Sequence, residues 1–215
     1  MSEDKVLLAG FEQFGPYSYN IAERLVDELD GEVIKTSNDI RLRIIGVKLP
    51  ISFDTFRKVL AAATKRIQPN IAVGLGMDFK DLNNLTLELL ANSRPQYGTD
   101  IKDVKGQTGD NKALDELPEI IRVPNEEKIQ QAISQIDGIE ISENAGRHMC
   151  ETILRDLIRL SDNGKIFQPS FIHLSHTPDL LAESASLDVH THSMPLEQQK
   201  EIIRSAIKNI GTFYL

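Results

Sequence analysis

The chain has 215 residues, 40% apolar and 26% charged, enough to bury a full core as one α/β domain over 1–215. With 32 acidic against 24 basic residues and a formal charge of -8, it has no basic excess to neutralise phosphates or anionic lipids, so nucleic acid and membrane surfaces are not expected partners. A single cysteine excludes an internal disulfide, no apolar run approaches the about 20 residues that span a bilayer, and the expected location is the cytoplasm.

Lys5 to Phe11 is a near-continuous apolar run and Ile40 to Leu49 alternates around an apolar centre; both are predicted strands. Between them Ile21, Leu25, Val26 and Leu29 recur at helical spacing, with Gly31 as a terminator. A second helix is predicted over Phe53 to Ile67, broken by Pro69 before a third strand, Ile71 to Leu75. Leu85 to Ala91 fits a strand or a helix, and strand is the preferred reading. Residues 93–115 are polar and glycine-rich and are expected to form a long loop, either a functional cover or a disordered segment.

Beyond it, Glu126 to Ile136 is a predicted amphipathic helix, Gly138 to Ile141 a short strand, and Ala145 to Leu160 a strong helix with Ser142 or Asn144 as its cap. Ser170 to Leu174 makes a last strand and Leu196 to Ile210 a terminal helix. Helices alternating with short apolar strands imply a mainly parallel sheet covered on both faces.

Three residues stand out chemically. Cys150, Ile153, Leu154, Leu157 and Ile158 share one helical stripe, which places the thiol on the sheet-facing side near a helix N-terminus. Backbone N–H groups there favour a thiolate and can hold an oxyanion. A buried cysteine that only fills space is the competing interpretation. His173 ends an apolar strand, the edge where open α/β sheets place reactive groups, and an imidazole with an ordinary pKa of about 6.5 suits a general base. Alternatively it only hydrogen-bonds there, and His176 is a rival three residues on. Glu88 is one carboxylate inside the apolar run LTLELLAN; it either orients a histidine or sits exposed at a strand edge. His190 and His192 have no third ligand at convincing spacing, so surface histidines are expected. Gly10, in GFEQFG, lacks the pattern of a phosphate-binding loop.

GFEQFG, ISENAGRHMC and FIHLSHTP together resemble the pyroglutamyl peptidase I family of cysteine peptidases, whose members carry GFEPFG, S-x-x-AG-x-x-x-C and FIH-x-P-type motifs in this order. His173 follows Cys150 by 23 residues, as the family's histidine follows its cysteine. The resemblance implies a three-layer α/β/α sandwich, and hydrolysis of the amide bond after an N-terminal pyroglutamate by a Cys150–His173–Glu88 triad. It implies no metal or cofactor, peptides as partners, and a homodimer or homotetramer. It also implies that Phe11 and Phe14 stack on the flat lactam ring, with Leu75, His148 and Met149 lining the pocket. The chain departs from the family pattern around Glu88, where the family's E-R-x-A-x-N is one residue compressed and lacks the arginine, and in three further places. GLGMDFKD stands where the family has a glycine-arginine pair, His148 and Met149 replace apolar or aromatic residues, and Glu151 replaces the usual asparagine. These departures keep two alternatives in view, a thiol amidohydrolase of other specificity and an inactive homologue that binds.

Overall fold

The computed structural model describes residues 3–14, 17–53, 55–77, 83–92, 120–146, 149–162, 167–184 and 192–215. Seven strands form the main sheet, in the order β2-β3-β1-β4-β9-β5-β8. They are β1 (Asp4–Phe11), β2 (Val33–Lys35), β3 (Arg41–Leu49), β4 (Ile71–Met77), β5 (Leu85–Glu88), β8 (Ile139–Ser142) and β9 (Gln168–Leu174). The β1–β3, β1–β4, β4–β9 and β5–β8 pairings are parallel, whereas β2–β3 and β5–β9 are antiparallel. The expectation of a mostly parallel sheet holds.

Six helices are described: α1 (Ile21–Leu29), α2 (Phe56–Ile67), α3 (Glu126–Ile133), α4 (Met149–Asp162), α5 (Pro178–Ser184) and α6 (Leu196–Tyr214). Glycines show how they cover the sheet. A methyl group on Gly10 would lie 2.8 Å from the Ala22 carbonyl oxygen and one on Gly46 2.9 Å from Val26, so α1 rests directly on that face. Gly211 of α6 packs on Leu42 of the same face. On the other face, Gly74 and Gly76 admit Ile153 and Cys150 of α4, and Phe56 of α2 meets Phe11 edge-on at 5.5 Å. The result is three layers, with α1 and α6 on one side and α2 and α4 on the other.

Several boundaries differ from the sequence expectation. The run Leu85 to Ala91 divides at Leu89: β5 stays in the main sheet, while β6 (Leu90–Asn92) pairs with β7 (Ile120–Arg122) in a separate antiparallel ribbon. Helix α4 begins at Met149, so neither Ser142 nor Asn144 caps it; Gly146 first turns the chain at φ +83, and the Asn144 side chain accepts from its N–H. Strands β2 and β7 have three residues each and carry no legible period. The loop expected over 93–115 lies outside the described residues.

Candidate active site

The site starts from the pleat of β4. Strand period two sends alternate side chains to opposite faces. Gly76 therefore faces α4, and a methyl group there would sit 2.6 Å from Cys150 Sγ and 2.8 Å from Phe171 Cζ. Two glycines in this strand let α4 approach closely enough to lower the thiol onto the sheet. Cys150 is the second residue of α4 and is half-buried, so its neighbours include the unsatisfied N–H groups of the first helical turn.

Gly76 is the register partner of His173 on β9. Neighbouring strands lie about 4.8 Å apart, and partners in a parallel pair face the same way. His173 thus presents its ring on the face that carries Cys150. The ring is 3% exposed and is held edge-on to Phe171, with centroids 4.9 Å apart.

On the other side of β9, Thr86 of β5 is the register partner of His173, and Glu88 lies diagonally across. Glu88 Oε1 is 2.8 Å from His173 Nδ1, a bond that turns Nε2 away from the carboxylate. Glu88 is 1% exposed, not a solvent-facing edge residue. Thr86 Oγ1 donates to its Oε1 at 2.8 Å, and the Asn144 N–H donates to its Oε2 at 3.1 Å. Burial opposes ionisation of Glu88, but the His173 hydrogen bond and charge, with the Ser142 and Thr86 contacts, outweigh it and hold the carboxyl below its ordinary value. Thr86 and Gly76 were not singled out from sequence, and Ser142 and Asn144 only as helix caps, although Thr86 and Glu88 at i and i+2 of a strand already share a face.

The remaining expected residues divide. Phe11 is buried on the α4 side of β1 against Phe56, and Phe14 is half-buried against the core. Met149 opens α4 beside Cys150 and is half-buried. His148 lies outside the described residues. The structure does not bring Leu75 to this face: it pairs with Gly10, whose face meets α1, and it is fully buried there. Period two makes Gly76, its neighbour, the β4 residue that meets the thiol. His176 is buried beside Tyr17, His192 is exposed, and His190 lies outside the described residues. Among the described residues no cluster of three or more His, Cys, Asp or Glu is arranged to hold a metal.

A family model described as pyroglutamyl peptidase matches residues 4–212. The chain belongs to that family. It is 25% identical to a pyrrolidone-carboxylate peptidase of Pyrococcus furiosus over 95% of this chain and 96% of that one. It is 28% identical to the Thermococcus litoralis protein of the same name, covering 95% and 91%. The solved pyrrolidone carboxyl peptidase of Thermococcus litoralis superposes with a TM-score of 0.82 at 26% identity, over 96% of this chain and 92% of that one. The match spans every segment that builds the site, so the family's fold persists at this low identity. Among the described residues, no helix is long and apolar enough to cross a membrane.

Proposed function

We propose that the protein is a cysteine peptidase that removes an N-terminal pyroglutamate, with Cys150 as nucleophile, His173 as base and Glu88 as the group that orients it. One observation carries this reading: the buried Glu88–His173 bond of 2.8 Å lies on the sheet face where Cys150 Sγ packs over Gly76, the register partner of His173. Family membership supports the same reaction.

With Nδ1 bonded to Glu88, His173 Nε2 takes the thiol proton. The thiolate attacks the pyroglutamyl carbonyl carbon, and N–H groups of the first turn of α4 receive the oxyanion. The C–N bond then breaks, the amine leaves with the proton from His173, and a thioester remains on Cys150. His173 next deprotonates a water, which attacks the thioester and releases 5-oxoproline and the free thiol. Phe11 and Phe14 supply apolar ring faces for the neutral lactam. The reading includes a homo-oligomer, and a reducing, cytoplasmic compartment that keeps the single thiol active.

Release of a fluorescent amine from a pyroglutamyl amide tests the proposal. Wild type is expected to release it and Cys150→Ser to be silent; equal activity in both would rule out the assigned nucleophile. A second reading, a thiol hydrolase of changed specificity or an inactive binder, is favoured by Glu151, a carboxylate buried to 1% exposure directly after the thiol. Cys150 that alkylates at neutral pH while pyroglutamyl amides stay intact points to changed specificity; an inert thiol points to the binder.

A further inference from the structure

Strands β1 and β9 flank β4 without touching each other, so their C-terminal ends stand about 10 Å apart across the end of β4. The described residues that follow them, 12–14 and 17–20 on one side and 175–184 on the other, are nevertheless tied together. Tyr19 Oη is 2.5 Å from Thr177 Oγ1 and donates to Asp179 Oδ2 at 2.9 Å. The Ser18 N–H and hydroxyl donate to the Glu183 carboxylate at 2.9 and 2.6 Å. Tyr17 Oη lies 3.4 Å from His176 Nε2, with the two rings 5.6 Å apart. Tyr17, Tyr19, His176 and Thr177 are all buried, and the Arg24 guanidinium covers the Tyr19 ring at 3.3 Å.

Each end of this strap is anchored. Asn20 Nδ2 donates to the Glu12 carbonyl, while Gln199 Nε2 donates to the Ser175 and Met194 carbonyls and the Met194 N–H donates to that of His176. One end continues from Phe11 and includes Phe14. The other continues from His173. Between them lies the end of β4, where Cys150 packs over Gly76.

We propose that the strap is a positioning device for the acyl group, with Tyr19 and Asp179 as its positioning residues. It fixes the Phe11–Phe14 segment relative to His173 and so sets the width of the slot that receives the lactam ring. This rests on the assignment of Cys150 and the two phenylalanines above. Loops that leave separate strands move independently unless they are tied, and a loosened slot weakens binding of the ring while the Glu88–His173 pair, held within the sheet, stays in place.

Tyr19→Phe, which keeps the ring over Arg24, and Asp179→Asn test it. With a pyroglutamyl amide, each is expected to raise KM about fivefold, the value of one hydrogen bond, with kcat nearly unchanged. The pair combined is expected to cost less than the sum of the two, since both act on the Tyr19–Asp179 hydrogen bond. Alkylation of Cys150 by iodoacetamide should proceed at the wild-type rate, and protection of the thiol by free 5-oxoproline should need about fivefold more of it. Wild-type KM and protection in a variant with lowered melting temperature would reduce the strap to a structural tie and overturn the proposal. Slower alkylation in step with activity would overturn it too, by placing the effect on the triad. A wild type that 5-oxoproline does not protect would instead sink the underlying reading of Phe11 and Phe14, and the strap's role with it.

Discussion

At the scale of single residues, Glu88 concentrates the buried electrostatics of the candidate site. A carboxylate at 1% exposure is costly unless its oxygens are met, and here Thr86, Asn144 and His173 meet them. Because its folded-state value is depressed, its stabilising contribution is complete above the ordinary 4.5 and is lost as pH falls through the lower native value. Urea midpoints of wild type and Glu88→Gln should therefore differ at neutral pH and draw together as pH is taken below 4.5. In activity, Glu88→Gln is expected to keep measurable turnover, since it removes the orienting charge but no reacting atom. His173→Ala should lower kcat by at least about a hundredfold, the typical contribution of a general base. Both comparisons use amine release under saturating substrate. Glu151→Gln replaces the buried carboxyl that follows the thiol in sequence and should speed alkylation of Cys150; a slower reaction would show that Glu151 supports the site.

Among the elements, β4 and α4 decide whether the thiol reaches the sheet. A methyl group at Gly76 would occupy the space of Cys150 Sγ and the Phe171 ring, so Gly76→Ala must displace one of them. The expected result is a loss of about 1–3 kcal/mol in urea unfolding together with a fall in kcat, because the nearer of the two atoms, Cys150 Sγ at 2.6 Å, is the proposed nucleophile. Asn20 offers a contrast: it caps α1 by accepting from the Ala22 N–H at 2.9 Å and donates to the Glu12 carbonyl at 3.1 Å. Asn20→Ala should cost about 1 kcal/mol of stability by the same assay, with Cys150 alkylation unchanged.

The molecule as a whole assembles the proposed site from parts far apart in sequence: β5 supplies Glu88, α4 Cys150 and β9 His173. If residues 1–215 form one cooperative unit, far-UV circular dichroism and the loss of Cys150 protection should report a single coincident transition in urea. Separate midpoints would divide the chain into independent units. Much of this architecture was legible beforehand. The stripe from Cys150 to Ile158 identified α4 and its sheet-facing side, and apolar runs identified β1, β3, β4 and β9, because buried elements write their period into the sequence. The break at Leu89 was not legible, since a continuous apolar run carries no mark of where a chain leaves one sheet for another. Nor was the choice of Gly76 over Leu75, which depends on the strand's phase relative to two helical layers. The sequence by itself determined the types of the longer elements, the family motifs and the candidate thiol and imidazole, because these rest on local order and spacing. Only the tertiary structure decided that Glu88 is buried against His173, that Leu75 faces away, and that the segments after β1 and β9 are strapped together. Those facts depend on strand order and register, which bring together residues 85 to 165 positions apart.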